Sequence, residues 1–289
     1  MILLLLLLSL SPRVAPDSLV IMSWNVENLF DWKNSGTGDS DSEFTPAGAK
    51  HWTSRKFYSK CNGIAKTILM AGERQGRIPD AVALIEVENR YVLEQLVYGT
   101  VLRKLDYRII HYDSPDHRGI DCALLYRKST LRPLHSAPKH LYDSLGVIMP
   151  TRDILVAEFD SLSILVNHHP SKVGSDGGLR RKTAMDRMNF LCDSLVSCGT
   201  RRILCVGDFN DDLWHNGGKG TIKYNGAWEK IDGHFARGIK EVSEEVLDDP
   251  SLTVHDTAFG GMKPLRTFSG PRYLGGISDH YPLVITVYF

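Results

Sequence analysis

Cysteine is scarce in this 289-residue chain, and it falls into no paired spacing: Cys61, Cys122, Cys192, Cys198 and Cys205. An odd, scattered set excludes a disulfide framework and a zinc cluster. Cys122 and Cys205 sit inside apolar runs and read as small buried hydrophobes. At most one bridge is expected, through Cys192 or Cys198. An excess of either charge is missing as well. Lys+Arg and Asp+Glu number 34 each and the isoelectric point is near 7.2. No global field draws in a polyanion, so any polyanionic ligand depends on a local groove. Also missing is an apolar run of bilayer length. Residues 2–8, one Ile and six Leu, fall far short of the ~20 residues that a membrane span needs. They fit the apolar core of a secretory signal ending near Ala15, although no basic residue precedes them. No cysteine follows to carry a lipid anchor. The expectation is a signal over 1–17, a single domain over 18–289, and export to the periplasm or outside, without stable membrane insertion.

What is present suffices for a large core: 43% of residues are hydrophobic and 24% charged. Apolar, β-compatible runs recur at 19–25, 81–85, 107–112, 122–127, 151–159, 162–168, 203–206 and 283–289. Helical spacing appears over 55–69, 90–97 and 180–197. Leu213–Gly226 reads as loop, Trp228–Asp232 as a short strand, and Gly174–Gly178 as a flexible loop. Strands outnumber helices, and no composition break divides the chain. The pattern predicts a layered α/β fold with mixed sheets. The polar stretch from Lys33 to Ala49 predicts a long surface loop. Asp39, Asp41 and Glu43 alternate within it. Without a turn glycine and a terminal bidentate Glu they read as a solvated acidic loop rather than a calcium loop.

Polar ligand residues stand where these strands end. Ile203-Leu-Cys-Val-Gly-Asp208-Phe-Asn210 runs from an apolar strand straight into a carboxylate and an amide. Two residues apart in extended chain, these side chains point the same way, and together they suit a phosphate and a hard divalent cation. Asn25, Glu86 and His168 end other strands, and Asp279-His280 stand just before the last. Each alone reads as a return to solvent, a cap or a loop residue. Their recurrence at one strand edge after another points to a site. Arg180, Arg181 and Lys182, after the Ser171-Lys172 loop, are candidates for phosphate binding or for a solvated helix start.

Ser23-Trp-Asn25-Val-Glu-Asn-Leu-Phe, Leu84-Ile-Glu86-Val-Glu-Asn, Val166-Asn-His168-His-Pro-Ser-Lys, Val206-Gly-Asp208-Phe-Asn210 and Ile277-Ser-Asp279-His280-Tyr-Pro together resemble the endonuclease/exonuclease/phosphatase superfamily. The resemblance covers about residues 19–289, and the loops, including Glu43-Phe-Thr-Pro and Arg266-Thr-Phe, look similar to exported bacterial members. It implies a four-layer α/β fold, a β-sandwich of two mixed sheets flanked by helices. It implies a Mg²⁺-dependent phosphoesterase, nuclease-like, acting on a phosphate-ester substrate as a monomer, with Mn²⁺ or Ca²⁺ as alternative ions. By motif, Glu86 would be the main metal ligand with Asn25 and Asp279 beside it. Asp208 would orient or deprotonate water, and Asn210 would hold a phosphate oxygen, assisted by Arg180 and Lys172. His280 would contact the phosphate, oriented by Asp232, and His168 would be the second imidazole, oriented by Asp121. Ile85 stands where the family usually has Gln. His168 rather than His169 stands two before the proline, as the pattern asks. The alternatives are a sphingomyelinase-like or inositol-phosphatase-like hydrolase, and a catalytically silent binding member. A calcineurin-type phosphatase is set aside for want of a Gly-Asn-His-Glu/Asp motif.

Overall fold

The computed structural model describes residues 17–36, 38–172, 177–214 and 219–289. The signal expected at 1–17 lies outside these apart from Asp17. In chain order the elements are β1 (Ser18–Leu29), α1 (Ser54–Arg74), β2 (Ala81–Val87), α2 (Arg90–Gly99), β3 (Tyr107–His111), β4 (Asp121–Arg127), β5 (Pro133–Lys139), β6 (Ile154–Phe159), β7 (Ser163–His168), α3 (Gly177–Ser197) and β8 (Ile203–Asp208). Then follow β9 (Ile222–Tyr224), β10 (Ala227–Glu229), β11 (Asp232–Arg237), β12 (Glu241–Val246), β13 (Thr253–His255), β14 (Met262–Pro264), β15 (Phe268–Ser269), β16 (Arg272–Tyr273) and β17 (Leu283–Tyr288). One mixed sheet has the order β12-β17-β1-β2-β4-β3, the other β11-β8-β7-β6-β5.

The two sheets lie face to face because their strands carry apolar side chains on both sides, as strands covered on both faces must. In β8, Leu204 and Val206 join the central core, which reaches through the first sheet to α1 and α2. Their neighbours Ile203 and Cys205 turn the other way, onto Ala184, Met188 and Cys192 of α3. The period-two alternation of one strand thus serves two cores, and the result is the four layers expected: helices, sheet, sheet, helix. Each buried aliphatic side chain contributes about 1.5–3 kcal/mol. No helix among the described residues is long and apolar enough to cross a membrane.

Several sequence expectations shift. Gly177 and Gly178, assigned to a loop, open α3, while 174–176 lie outside the described residues. The short strand expected over 228–232 is two pieces: β10 closes a hairpin with β9, and Asp232 opens β11, paired antiparallel to β8. The cysteines are all free; Cys192 Sγ lies 3.4 Å from Cys205 Sγ, and Cys198 is exposed. The Asp39–Glu43 stretch is not uniformly solvated either, since Asp41 and Phe44 are buried in a short 3-10 turn.

Where β7 and β8 run parallel, Gly207 has φ +146°, and a Cβ there would come within 1.9 Å of the Asn167 carbonyl oxygen. Gly207→Ala is therefore expected to destabilise the fold by roughly 3 kcal/mol or more, combining backbone strain with overpacking. The urea midpoint checks this. An unchanged midpoint would mean the two strands move apart at no cost.

Candidate active site

The site is built at the ends of the central strands of both sheets. β1 and β2 run parallel, and Asn25 and Glu86 come at their C-terminal ends. β7 and β8 do the same in the second sheet, with His168 and Asp208 directly paired in register. β11 brings Asp232 opposite Asp208, and Asp279 and His280 immediately precede β17. The backbone bends sharply here. Glu27 (φ 51°), Asn28 (56°), Glu86 (68°) and Asn210 (51°) are all left-handed without being glycine. Each costs about 1–3 kcal/mol and persists only where its surroundings hold it. Glu86 sits in a register shift between Ile85 and Val87, and its Oε2 accepts the Asn28 amide N–H at 2.9 Å.

Distances tie these groups into one cluster. His168 Nε2 lies 3.8 Å from Glu86 Oε1 and 3.7 Å from Asp208 Oδ2. Asn25 Nδ2 donates to Asp208 Oδ2 at 3.1 Å. The Asn210 amide N–H donates to Asp208 Oδ1 at 2.9 Å, and its side-chain Nδ2 to the His169 carbonyl at 3.0 Å. His280 Nδ1 meets Asp232 Oδ2 at 2.8 Å, which leaves Nε2 facing Asp208 Oδ2 at 4.0 Å and Asp279 Oδ1 at 3.9 Å. Trp24 Nε1 donates to the His280 carbonyl at 2.9 Å and fixes that loop from the core.

Burial sets the protonation states. Burial, and then the neighbouring Asp232 carboxylate, push Asp208 up to about 7. Burial alone would depress His280, but Asp232, Asp208 and Asp279 raise it well above the usual imidazole value. His168 is held well below that value by burial and by Arg152 and Arg118. One imidazolium and one neutral imidazole therefore flank a carboxyl poised near neutrality.

Other expected residues lie elsewhere. His169 packs edge-on against Phe209 at 5.0 Å between ring centres and is pushed down to about 3 by burial and by Arg152 and Arg181; His168 is the ring that meets the carboxylates. Asp121 does not orient His168: it bonds His111 Nε2 at 3.2 Å and accepts the Ser114 N–H, and His168 Nδ1 is buried without a partner. Lys172 is engaged with Glu229 on the surface rather than with the cluster. Arg180, in the first turn of α3, forms no ion pair with the cluster among the described residues.

Three groups beside the cluster escaped the sequence reading. Arg118 Nη2 stands 4.0 Å from Glu86 Oε1. Arg266 bridges Glu27 and Asp279, at 3.3 and 2.9 Å. Lys60, fully buried, reaches from α1 to the Glu27 carbonyl and to Thr267 Oγ1; burial lowers it to about 8. Glu27 follows Asn25 at strand period, so alternation alone would have flagged it. The basic residues sit in loops, and no periodicity says where a loop lands. Lys50, Arg118, Arg266 and Phe268 line a cleft of about 210 Å³ that opens beside Glu27 and Asn28.

A two-sheet sandwich with carboxylates, amides and imidazoles gathered at one rim defines a hydrolase-type site. The profile of the endonuclease/exonuclease/phosphatase family matches residues 20–218 and 212–288, and the chain belongs to that family. It is a phosphoric-ester hydrolase of the nuclease and phosphatase type. No curated protein sequence matches the chain. Among solved structures it is similar to truncated TDP2 of Caenorhabditis elegans, with TM-score 0.57 and 16% identity over 94% of this chain and 98% of that one. A family protein of Bacteroides thetaiotaomicron gives 0.58 and 14%, covering 94% and 95%. Danio rerio TDP2 complexed with single-strand DNA product gives 0.53 and 16%, covering 95% and 100%. At these identities the likeness establishes the fold.

Proposed function

We propose that the chain is an exported, monomeric, divalent-metal-dependent phosphodiesterase that cleaves nucleic-acid phosphodiesters. The observation that carries this reading is the convergence of Glu86, Asp208, Asn210, His168 and the His280–Asp232 pair within hydrogen-bond or near-contact distance at one rim. Among the described residues Glu86 Oε1 accepts no hydrogen bond, and it has His168 Nε2 3.8 Å away. Asn25 Oδ1 accepts the Glu27 N–H and Asp279 Oδ2 meets Arg266, so the free Glu86 oxygen would be the main protein ligand, which suits Mg²⁺, an ion that takes few protein ligands and keeps its waters. Bound there, the ion would supply Lewis-acid polarisation of a phosphoryl oxygen.

The chain's own groups do the rest. Asp208, held near 7, is matched to take a proton from an attacking water at neutral pH. Asp232 fixes the His280 ring, so the protonated Nε2 presents a hydrogen bond to charge developing on the phosphoryl oxygens. Asn210, with its backbone in the left-handed region, stands beside Asp208 where a phosphate oxygen would be held. Support for nucleic acid over a lipid head group or an inositol phosphate comes from the cleft beside the cluster, where Lys50, Arg118 and Arg266 outnumber Glu27 and Glu43 and Phe268 adds an aromatic face, a combination that can hold a strand. Danio rerio TDP2, which has a similar fold, was captured with single-strand DNA product.

A substrate panel tests the proposal: single-stranded and plasmid DNA, an abasic oligonucleotide, RNA, bis-p-nitrophenyl phosphate, sphingomyelin and inositol phosphates, each with Mg²⁺ and with EDTA. Cleavage of a nucleic acid that EDTA reduces at least 100-fold is the expected result. Preference for sphingomyelin or an inositol phosphate would move the substrate assignment. Turnover undiminished in EDTA would remove the metal from it.

A further inference from the structure

We propose that Asp31, Asp41 and Glu88 hold a second divalent cation, calcium by its ligand chemistry, at a site distinct from the catalytic cluster. Asp31 follows β1, Asp41 comes from the loop after it, and Glu88 follows β2. All three are buried, at 1%, 2% and 6% exposure, and one carboxylate oxygen from each lies within 4.8 Å of the others. This is not the acidic alternation visible in the sequence: Asp39 and Glu43 point to solvent, and Asp41 instead meets two carboxylates from distant segments.

The outer oxygens are satisfied. The Asp31 N–H donates to Glu88 Oε2 and the Lys33 N–H to Asp31 Oδ1, each at 2.6 Å; Ser35 Oγ–H donates to Asp31 Oδ2 and the Gly36 N–H to Asp41 Oδ2, each at 2.8 Å. The inner oxygens are not. Asp41 Oδ1 and Glu88 Oε1 are sealed from solvent and have no well-aligned hydrogen-bond partner; a proton shared between the two carboxyls is the competing occupant of this gap. Among the described residues no Lys, Arg or His forms an ion pair with any of the three. Buried carboxylates without a counter-charge are costly. A cation between the inner oxygens removes both the repulsion and the missing bonds.

The ligand set selects the ion. The three oxygens lie no more than 4.8 Å apart, a gap that a divalent cation can bridge, and calcium accepts a buried, largely protein-made cage. Magnesium at 2.0–2.1 Å needs a tighter octahedron and keeps more of its water. The loop must also approach closely: a Cβ at Gly36 would sit 3.0 Å from Glu88 Oε1. So bound, the ion ties the loop carrying Phe44 to the end of β2, two residues beyond Glu86.

The test uses the full chain, stripped with EDTA. Melting is followed with and without 1 mM CaCl₂, in wild type, Asp41→Asn and Glu86→Gln combined with Asp41→Asn. Calcium is expected to raise the wild-type Tm by several degrees, since it binds only the folded chain, to raise that of Asp41→Asn by less, and to leave Glu86→Gln combined with Asp41→Asn unmoved. In EDTA Asp41→Asn should melt no lower than wild type, because it loses one of three crowded charges. Equilibrium dialysis with ⁴⁵Ca separates this site from the catalytic one. Glu86→Gln should retain one ion per chain, and Glu86→Gln combined with Asp41→Asn none. The proposal is overturned if the double variant still binds one ion or if Glu86→Gln binds none. It is equally overturned if Asp41→Asn and Glu88→Gln both fail to fold in EDTA, since that would make the carboxyls a proton-sharing structural knot. None of these failures touches the phosphodiesterase reading.

Discussion

Asp208→Asn is expected to lower kcat/KM at least 1,000-fold while leaving the fold intact or more stable. Asn keeps the shape but offers one acceptor oxygen where Asp208 offers two, so it can keep only one of the hydrogen bonds from Asn25 and Asn210, and it cannot take a proton from water. A lost general base alone costs about 10²–10⁴-fold, and here the same group also lies within 4.0 Å of both imidazoles. The stability effect has a definite sign. The carboxyl of Asp208 is raised from an ordinary 3.8 to about 7 by burial and by Asp232. Ionising it therefore opposes folding, and the metal-free protein should lose stability as pH rises from about 4 to about 7. Asp208→Asn removes that part of the slope. Unfolding midpoints at pH 5 and pH 8 in EDTA would reveal it as a smaller difference in the variant than in wild type. Substantial turnover in Asp208→Asn would hand the base to another residue.

Removing the imidazolium should be nearly as costly. His280→Ala is expected to reduce turnover by about 10³-fold, the size of effect seen when a preorganised donor to a developing oxyanion is lost. Asp232→Asn should fall short of that, at about 10²-fold. It keeps the ring in place but withdraws the charge that holds the proton on it. The two variants differ in their pH profiles. With Asp232 present, the raised His280 stays protonated through neutrality, so activity should fall on the alkaline side as the ring deprotonates, while the acid limb belongs to protonation of Asp208. In Asp232→Asn that alkaline limb should move to lower pH. Rate profiles with bis-p-nitrophenyl phosphate would show it, and an unmoved limb would mean that Asp232 merely props the strand.

How much of this was legible follows from what each residue has to do. The central strands read clearly because both faces are covered, and an apolar run such as Ile203–Val206 allows little else. β5 and β12 were invisible for the opposite reason. They are sheet edges, rich in proline in one case (Pro133, Pro138) and glutamate in the other (Glu241, Glu244, Glu245), which is how edges avoid pairing with strangers. Asn25, Glu86, Asp208 and His280 were legible because each interrupts or borders an apolar run. Asp232 needed the family pattern, since nothing local marks it as the start of β11. Asp121 went wrong because adjacency in sequence says nothing about which of two buried imidazoles a carboxylate will face; His111, across the β3–β4 pairing, was nearer than His168. The buried carboxylates at 31, 41 and 88 could not be read at all. Their meeting depends on a loop closing over two parallel strand ends.

The indole of Trp24 hangs on the carbonyl of His280, 256 positions along the chain, and β1 is clasped by β17 on one side and β2 on the other. Competence must then arrive late in self-assembly, after the most distant partners have found each other. A nicked or half-collapsed molecule would carry all but one of the working groups and still be inert. Recovery of turnover after dilution from urea should lag behind recovery of ellipticity, a built-in delay between having a shape and having an edge.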